Sequence, residues 1–284
     1  MTSASRRSVA LALGGGGARG LAHIPMLEAF DELGVSPVAI AGTSMGAIFG
    51  AAYASGISGR EIRETTVKTL SDRRAVMGKL LEARAGRLAD LFSGWGNPML
   101  IDAETFCELF LPDRVVATFA DCVIPITVVS TDYYARKEAV FTSGPLRRAV
   151  AASMAIPGLT RPVEIDGRVL IDGAAVNPLP LDHLRANADM VVAVDVTGGP
   201  ALPRGREATG RLPGPWDVMF GALQILQSSI VEEKVARHAP EILVRPKVDL
   251  FKALDFFQAS VIFRLAAPAK EELKRKLSAA LERD

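Results

Sequence analysis

Short unbroken apolar runs alternate along this chain with longer stretches of helically spaced apolar positions. Residues 8–13 vary too little from position to position for a half-exposed strand, and predict one buried on both faces, as in a parallel sheet. Four glycines follow. Leu21, Ile24, Leu27, Phe30 and Leu33 then recur at helical spacing until Gly34 closes the helix. Residues 38–41 predict a second short strand, and residues 45–53 a helix of small residues that starts directly after it. The opening therefore reads strand, glycine turn, helix, strand, tight turn, helix.

Further on, residues 59–92 are charged and helical in pattern, with Leu70, Met77, Leu81 and Leu88 on one apolar face. Helices are expected at 102–110 and at 146–155, the second stopped by Pro157-Gly158. Strands are expected at 123–129 and 139–142. A hairpin over 163–171 turns on Asp166-Gly167. Residues 181–186 read as a helix and 190–196 as the last clear core strand. Residues 198–215, rich in Gly, Pro and Arg, read as a mobile surface loop. A long helix at 216–236, a strand at 242–244 and two terminal helices at 254–265 and 270–281 complete the pattern. No linker divides the chain. The expectation is one three-layer α/β/α domain with a mainly parallel central sheet, its core at 8–197 and a helical extension at 198–284 packed on the same domain.

Composition narrows this picture. Apolar residues make up 49% and charged residues 23%, which excludes a mostly disordered chain. The 33 basic and 32 acidic residues leave a net charge of +1, with no global attraction for nucleic acid. Cys107 and Cys122 are too few for a disulfide framework, and no Cys/His cluster has metal-ligand spacing. Arg6-Arg7 precedes an apolar run of five residues, shorter than the roughly 7–15 of an export signal. Residues 34–59 carry no charge, and Gly42, Gly46 and Gly50 repeat every four residues, as in packed membrane helices. Ser36, Pro37, Thr43, Ser44, Ser55 and Ser58 dilute that stretch below a spanning helix, so a cytoplasmic chain is expected.

Three blocks carry candidate chemistry. Gly42-Thr43-Ser44-Met45-Gly46 lies where a strand ends and a helix begins. A serine there is forced onto a sharp turn that exposes its hydroxyl, and the glycines remove side chains that would collide across it. A tight turn without chemistry would use the same residues. Gly14-Gly15-Gly16-Gly17-Ala18-Arg19-Gly20 lets backbone N–H groups converge on an anion. As a dinucleotide fingerprint it lacks the acidic residue at the end of the second strand, and as a phosphate loop it has Leu21 where lysine is required. An oxyanion hole needs only two aimed N–H groups. The third block, Asp172-Gly173-Ala174, stands at a strand end. An aspartate at a turn is commonly only a turn former, but this one gains interest because the chain has just three histidines, His23, His183 and His238.

In this order the blocks resemble the patatin-like phospholipase family, in the form common among bacterial members. Ala152-Ser153 with Ala155-Ile156-Pro157-Gly158, and Val176-Asn177-Pro178-Leu179-Pro180, are also similar, so the resemblance spans about residues 8–196. It implies Ser44 as nucleophile, Asp172 as its partner in a Ser–Asp dyad, and the glycine block, Gly15, Gly16 and Gly17, as the oxyanion hole. Gly42, Gly46 and Gly173 complete the motifs. The implied substrate is a lipid acyl ester, with no cofactor and no metal. Arg19 would orient the glycine loop or meet a lipid phosphate, against the plainer reading of a solvated helix-start arginine. Chain order also allows a triad of Ser44, Asp172 and His183. Asp195, as a partner for His238, and Asp132 are lesser candidates. The rival functions are a nucleotide-binding protein using residues 14–20 and a non-catalytic lipid-binding regulatory module. The apolar segments at 216–230 and 254–263 suit core packing first; peripheral membrane contact and a homo-oligomer stay open.

Overall fold

The computed structural model describes residues 7–85, 101–186, 188–200 and 212–282. Strands β1 (Val9–Leu13), β2 (Ala39–Thr43), β3 (Ile126–Asp132), β4 (Lys137–Phe141), β5 (Val163–Ile165), β6 (Arg168–Asp172), β7 (Met190–Val194) and β8 (Ile242–Val244) form one sheet. Its order is β5-β6-β3-β2-β1-β7-β8, with β4 paired separately to β3. The pairs β1–β2, β1–β7, β2–β3 and β7–β8 are parallel; β4 and β6 each run antiparallel to β3.

Helices cover both faces. On one side Val9, Leu11 and Leu13 pack beneath α1 (His23–Leu33), α2 (Met45–Ala54) and α8 (Ala259–Leu281). On the other, Ala10, Ala12, Ala39 and Ala41 meet Leu179, Leu181 and Leu184 and Val231 of α7 (Pro215–His238). The alternation in β1 is thus one of size, large residues toward one layer and alanine toward the other, with every position buried. This is the three-layer α/β/α arrangement expected. Among the described residues, no helix is long and apolar enough to cross a membrane, and the uncharged stretch after Gly34 becomes the buried β2 and α2.

Several elements differ from their sequence signal, each for a local reason. The strand expected at 123–129 begins at Ile126, because the N–H groups of Val123 and Ile124 bond to Ala54 O at the end of α2 (2.8 and 3.2 Å). The pattern at 59–92 forms two helices, α3 (Gly59–Ser71) and α4 (Arg73–Ala85), broken at Asp72, whose carboxylate accepts from Ala75 N–H at 2.9 Å. Leu88 and the rest of that pattern after residue 85 lie outside the described residues. Two short helices follow, α5 (Ala103–Glu108) and α6 (Leu146–Ser153). Residues 181–186 make only a 3-10 turn, Leu181–His183, since Leu179, Leu181 and Leu184 are all pinned in the second core face. The two terminal helices are one, α8, with Pro268 inside it. Ile262, Phe263, Ala266, Ala269, Leu273 and Leu277 keep one buried stripe across the proline, which offsets its lost hydrogen bond. The loop expected to be mobile falls mostly at 201–211, outside the described residues.

The junction that positions the site lies on one edge of β3. Parallel β2 pairs along it up to Thr43↔Val129, while antiparallel β6 pairs from the opposite direction down to Asp172↔Ser130. The two C-terminal ends therefore meet head to head, one residue apart along β3. Space there is minimal. A Cβ on Gly173 would lie 2.1 Å from Val129 O, and one on Gly46 would lie 2.1 Å from Leu13 O. Gly46→Ala is expected to destabilise by about 1–3 kcal/mol or more, because the obstacle is backbone that cannot rotate away. Gly78→Ala in α4, where a Cβ meets nothing within 4 Å, should instead stabilise by about 0.5–1 kcal/mol. Urea unfolding of the two variants measures both shifts.

Candidate active site

Ser44 stands between β2 and α2 with φ 56° and ψ −123°, a strained conformation for any residue but glycine. That strain aims its side chain at the end of β6. Ser44 Oγ donates to Asp172 Oδ2 at 2.7 Å, and Asp172 Oδ1 accepts from Ala174 N–H at 2.8 Å. Both residues are buried. Burial pushes the Asp172 carboxyl up to about 6 from its ordinary 3.8, against the opposing hydrogen bonds from Ser44 and Ala174. Thr131 Oγ1 donates to Asp172 O at 2.9 Å and holds the strand end in place.

Ser153, at the last position of α6, links the serine elbow to β3. It accepts from Ser44 N–H at 2.8 Å and donates to Val129 O at 2.6 Å. Its sequence block was part of the family resemblance, but no spacing rule reveals this role. A hydroxyl that both donates and accepts is required, and only the folded geometry presents one. Met154 contributes its sulfur 3.3 Å from Ser44 Oγ.

The glycine loop follows β1 and runs into a 3-10 turn, Gly17–Ala22. Its first peptide is clamped at both ends: His23 Nε2 donates to Gly14 O at 2.7 Å, and Gly15 N–H donates to Pro178 O at 2.8 Å. Gly15 is therefore not among the free donors that the glycine block suggested. Its contribution is space, since a Cβ there would lie 3.2 Å from Ala174 Cβ and 3.3 Å from Ser44 Cβ. Gly16 and Gly17 line a cleft together with Ser44 and Asp172. Among the described residues, no acceptor bonds either of their N–H groups. A Cβ on Gly16 would come within 2.4 Å of Val196 O, and one on Gly17 within 2.4 Å of Ala253 O. The rest of the wall is largely apolar, with Ile156, Pro157, Phe220, Leu223 and Leu254.

The family described as Patatin-like phospholipase matches residues 11–185. The chain belongs to the patatin-like phospholipase family. It is 37% identical over 215 residues to an uncharacterized NTE family protein of Mycobacterium tuberculosis, covering 73% of this chain and 54% of that one. It is 30% identical over 277 residues to human patatin-like phospholipase domain-containing protein 6, covering 90% of this chain and 19% of that protein. The chain thus spans about half the length of the mycobacterial relative and about a fifth of the human one. Among solved structures, it is similar to VipD from Legionella pneumophila, with 14% identity, TM-score 0.48, and coverage of 95% of this chain and 67% of that one. It is also similar to ExoU of Pseudomonas aeruginosa, solved with SpcU, with 16% identity, TM-score 0.46, and coverage of 98% of this chain and 53% of that one. The assignment to the patatin-like phospholipase family rests on sequence alone.

Arg19 is not a solvated helix-start residue: it is 1% exposed at the back of the cleft. Its guanidinium donates to Phe251 O at 3.4 Å and, with the Gln224 amide oriented to accept, to that side chain at 3.1 Å from each terminal nitrogen. Burial lowers its pKa to about 10, with Asp249 and Asp195 opposing the shift. It therefore ties the glycine loop to α7 and to the segment before α8.

His23 and His183 have other partners. His183 Nε2 is 3.1 Å from Glu138 Oε2, while Asp172 accepts from Ser44 and Ala174, so the structure does not join Ser44, Asp172 and His183 in a triad. Asp195 pairs with Arg245 at 2.9 Å instead of His238, and Asp132 caps its turn by accepting from Ala135 N–H at 2.9 Å. His23 is fully buried, and burial pushes its pKa down to about 4, so it is neutral at physiological pH. Glu138, Asp182 and His183 bring ligand atoms within 4.8 Å of one another, but Lys234 Nζ already supplies a cation there, 2.6 Å from Asp182 Oδ2. Asn177 Nδ2 joins that cluster through Glu138 and Asp182 (3.0 and 3.1 Å), while its backbone oxygen accepts from Thr43 Oγ1 at 2.8 Å.

The raised pKa of Asp172 has a consequence for stability. The folded protein holds a proton that the unfolded chain releases, so the contribution is fully present below about pH 4 and lost as pH rises through about 6. At neutral pH that loss amounts to about 3 kcal/mol. Asp172→Asn retains acceptor and shape but has no charge to bury. Its stability should match wild type near pH 4 and exceed it by up to about 3 kcal/mol at pH 7–8. Urea unfolding at both pH values checks this; a difference that does not grow with pH would mean Asp172 ionises without penalty.

Proposed function

We propose that the chain is a serine-dependent lipid acyl hydrolase that works through a Ser44–Asp172 dyad with Gly16 and Gly17 as oxyanion donors. The observation that carries this reading is the 2.7 Å hydrogen bond between Ser44 Oγ and Asp172 Oδ2 in a buried elbow, with His23 bonded to Gly14 and His183 to Glu138. Membership of the patatin-like phospholipase family and the apolar wall of the cleft support a lipid acyl ester as substrate.

Ser44 Oγ attacks the ester carbonyl carbon as Asp172 takes its proton. The carbonyl oxygen becomes an oxyanion and accepts from the N–H groups of Gly16 and Gly17. Collapse breaks the ester C–O bond, and Asp172 returns the proton to the departing alcohol, leaving an acyl ester on Ser44. Water then attacks that ester, again losing a proton to Asp172. The second collapse releases the fatty acid and restores the serine hydroxyl. A carboxylate with an ordinary pKa is a weak base for this task. Raised to about 6, Asp172 is a stronger base and still ionised at neutral pH.

Gly16 and Gly17 line the same cleft as Ser44 and Asp172, which favours acyl transfer over nucleotide binding by the glycine loop. A fluorophosphonate probe, followed by peptide mapping, is expected to modify Ser44 in the folded protein. An unlabelled Ser44 would favour a non-catalytic lipid-binding module. Ser44→Ala should abolish ester hydrolysis, and Asp172→Asn should lower kcat by about 10³-fold or more, while His183→Ala stays close to wild type. For the free enzyme, kcat/KM should rise with pH through about 6 as Asp172 ionises, with a slope of one proton. A profile flat between pH 5 and about 7 would exclude Asp172 as the base.

A further inference from the structure

Helix α7 has two apolar faces. From Val218 to Val231 it carries fourteen residues without one ionisable side chain. Phe220, Leu223, Gln224 and Gln227 face inward and line the cleft above Ser44, while Val231 is buried in the second core face. Val218 and Ile225, and likewise Met219 and Leu226, stand seven residues apart and so share the opposite face. They are 54%, 57%, 37% and 61% exposed. A helix apolar on both sides is normally buried on both sides, and this one is open to solvent on one.

The exposed face is continuous with the mouth of the cleft. Lys252 Nζ bonds Asp217 Oδ1 at 2.9 Å and fastens the segment before α8 to the start of α7. That segment adds Leu250 and Leu254, each 44% exposed, and Leu254 also lines the cleft. Along α7 the charges stand at the two ends of the apolar stripe, Asp217 before it and Glu232 after it, while Lys252 between Leu250 and Leu254 is paired to Asp217. Glu232 pairs with Arg245, and Lys234 with Asp182, which anchors the C-terminal half of α7 to the body.

We propose that this face of α7, with Leu250 and Leu254, is the surface by which the protein docks on the lipid aggregate that supplies its substrate. The inference rests on the lipid acyl hydrolase reading above. Its physical basis is the absence of ionisable groups across the exposed stripe, which suits insertion into the acyl boundary of a bilayer without a requirement for anionic headgroups. Docked in this way, the protein brings the cleft mouth to the membrane surface, and an acyl chain passes from bilayer to cleft along Leu254 and Leu223 without crossing water.

The test uses the full chain carrying Ser44→Ala, so that no turnover alters the membrane, and sedimentation with vesicles of phosphatidylcholine alone. Adding Ile225→Gln and Leu226→Gln should lower the partition coefficient about tenfold or more. In the otherwise wild-type chain the same pair should leave hydrolysis of a short, monomeric ester within about twofold, because neither side chain lines the cleft. If that pair does not fold, Leu226→Ser alone provides the same comparison with a smaller expected loss. Failure of the Ser44→Ala chain to sediment with vesicles, or equal partition of the variants, overturns the proposal. So does a dimer in sedimentation velocity that the pair converts to monomer, since the face would then belong to a second copy. Vesicle binding that is lost in the pair, in a protein that hydrolyses no ester, would uphold the docking surface and remove the hydrolase reading instead.

Discussion

Two strand ends that meet head to head on one edge of β3 are the constraint on which the site depends. A strand edge offers one row of hydrogen-bonding groups, and β2 and β6 divide it, one arriving parallel and the other antiparallel. The residue that follows β2 is Ser44 and the last residue of β6 is Asp172, so their contact is a result of sheet register. A slip of one residue in either strand would turn its side chain to the opposite face and dissolve the pair. Ser153 braces the β2 end of the junction from a third element, with one hydrogen bond to the Ser44 N–H and one to Val129 of β3.

The junction stores unfavourable conformations. Ser44 is held at positive φ, Asp172 is a carboxyl deprived of water, and the neighbouring backbones approach so closely that a methyl group at Gly46 or Gly173 would overlap carbonyl oxygen. These arrangements persist because the surroundings over-determine them. β1 and β2 are buried on both faces, and α2 is enclosed entirely. The same desolvation that destabilises the ionised carboxylate raises its basicity, which connects the energetic cost directly to the proposed chemistry.

Beyond the Ser44–Asp172 contact, polar connections tie the two strand ends to the covering layer. Arg19 reaches from the glycine loop to Gln224 of α7, and Asn177, five residues past Asp172, reaches through Asp182 to Lys234 on the same helix. α7 is thus held at two points over the site, and its inner apolar residues complete the cleft wall. The glycine loop is set in a similar way: His23 and Pro178 fix its first peptide, and Gly16 and Gly17, which follow, line the cleft.

Most of the architecture was legible along the chain because strand and helix leave different periods. The run at 8–13, the spacing from Leu21 to Leu33 and the Asp166-Gly167 turn each emerged where their patterns placed them. The serine elbow, the glycine block and Asp172 could be singled out because backbone geometry restricts which residues tolerate such turns. What the chain does not encode locally is partnership. That Gly15 donates to Pro178, that His183 turns to Glu138, that Ser153 bridges the elbow and that Arg19 is buried under α7 depend on residues distant in sequence. Periodicity reports how one segment meets its surroundings, so the sequence by itself determined the elements and the candidate nucleophile. Only the tertiary structure decided which hydrogen-bonding groups are already taken and which remain free to act, because that follows from the register of β3 and the seating of α7.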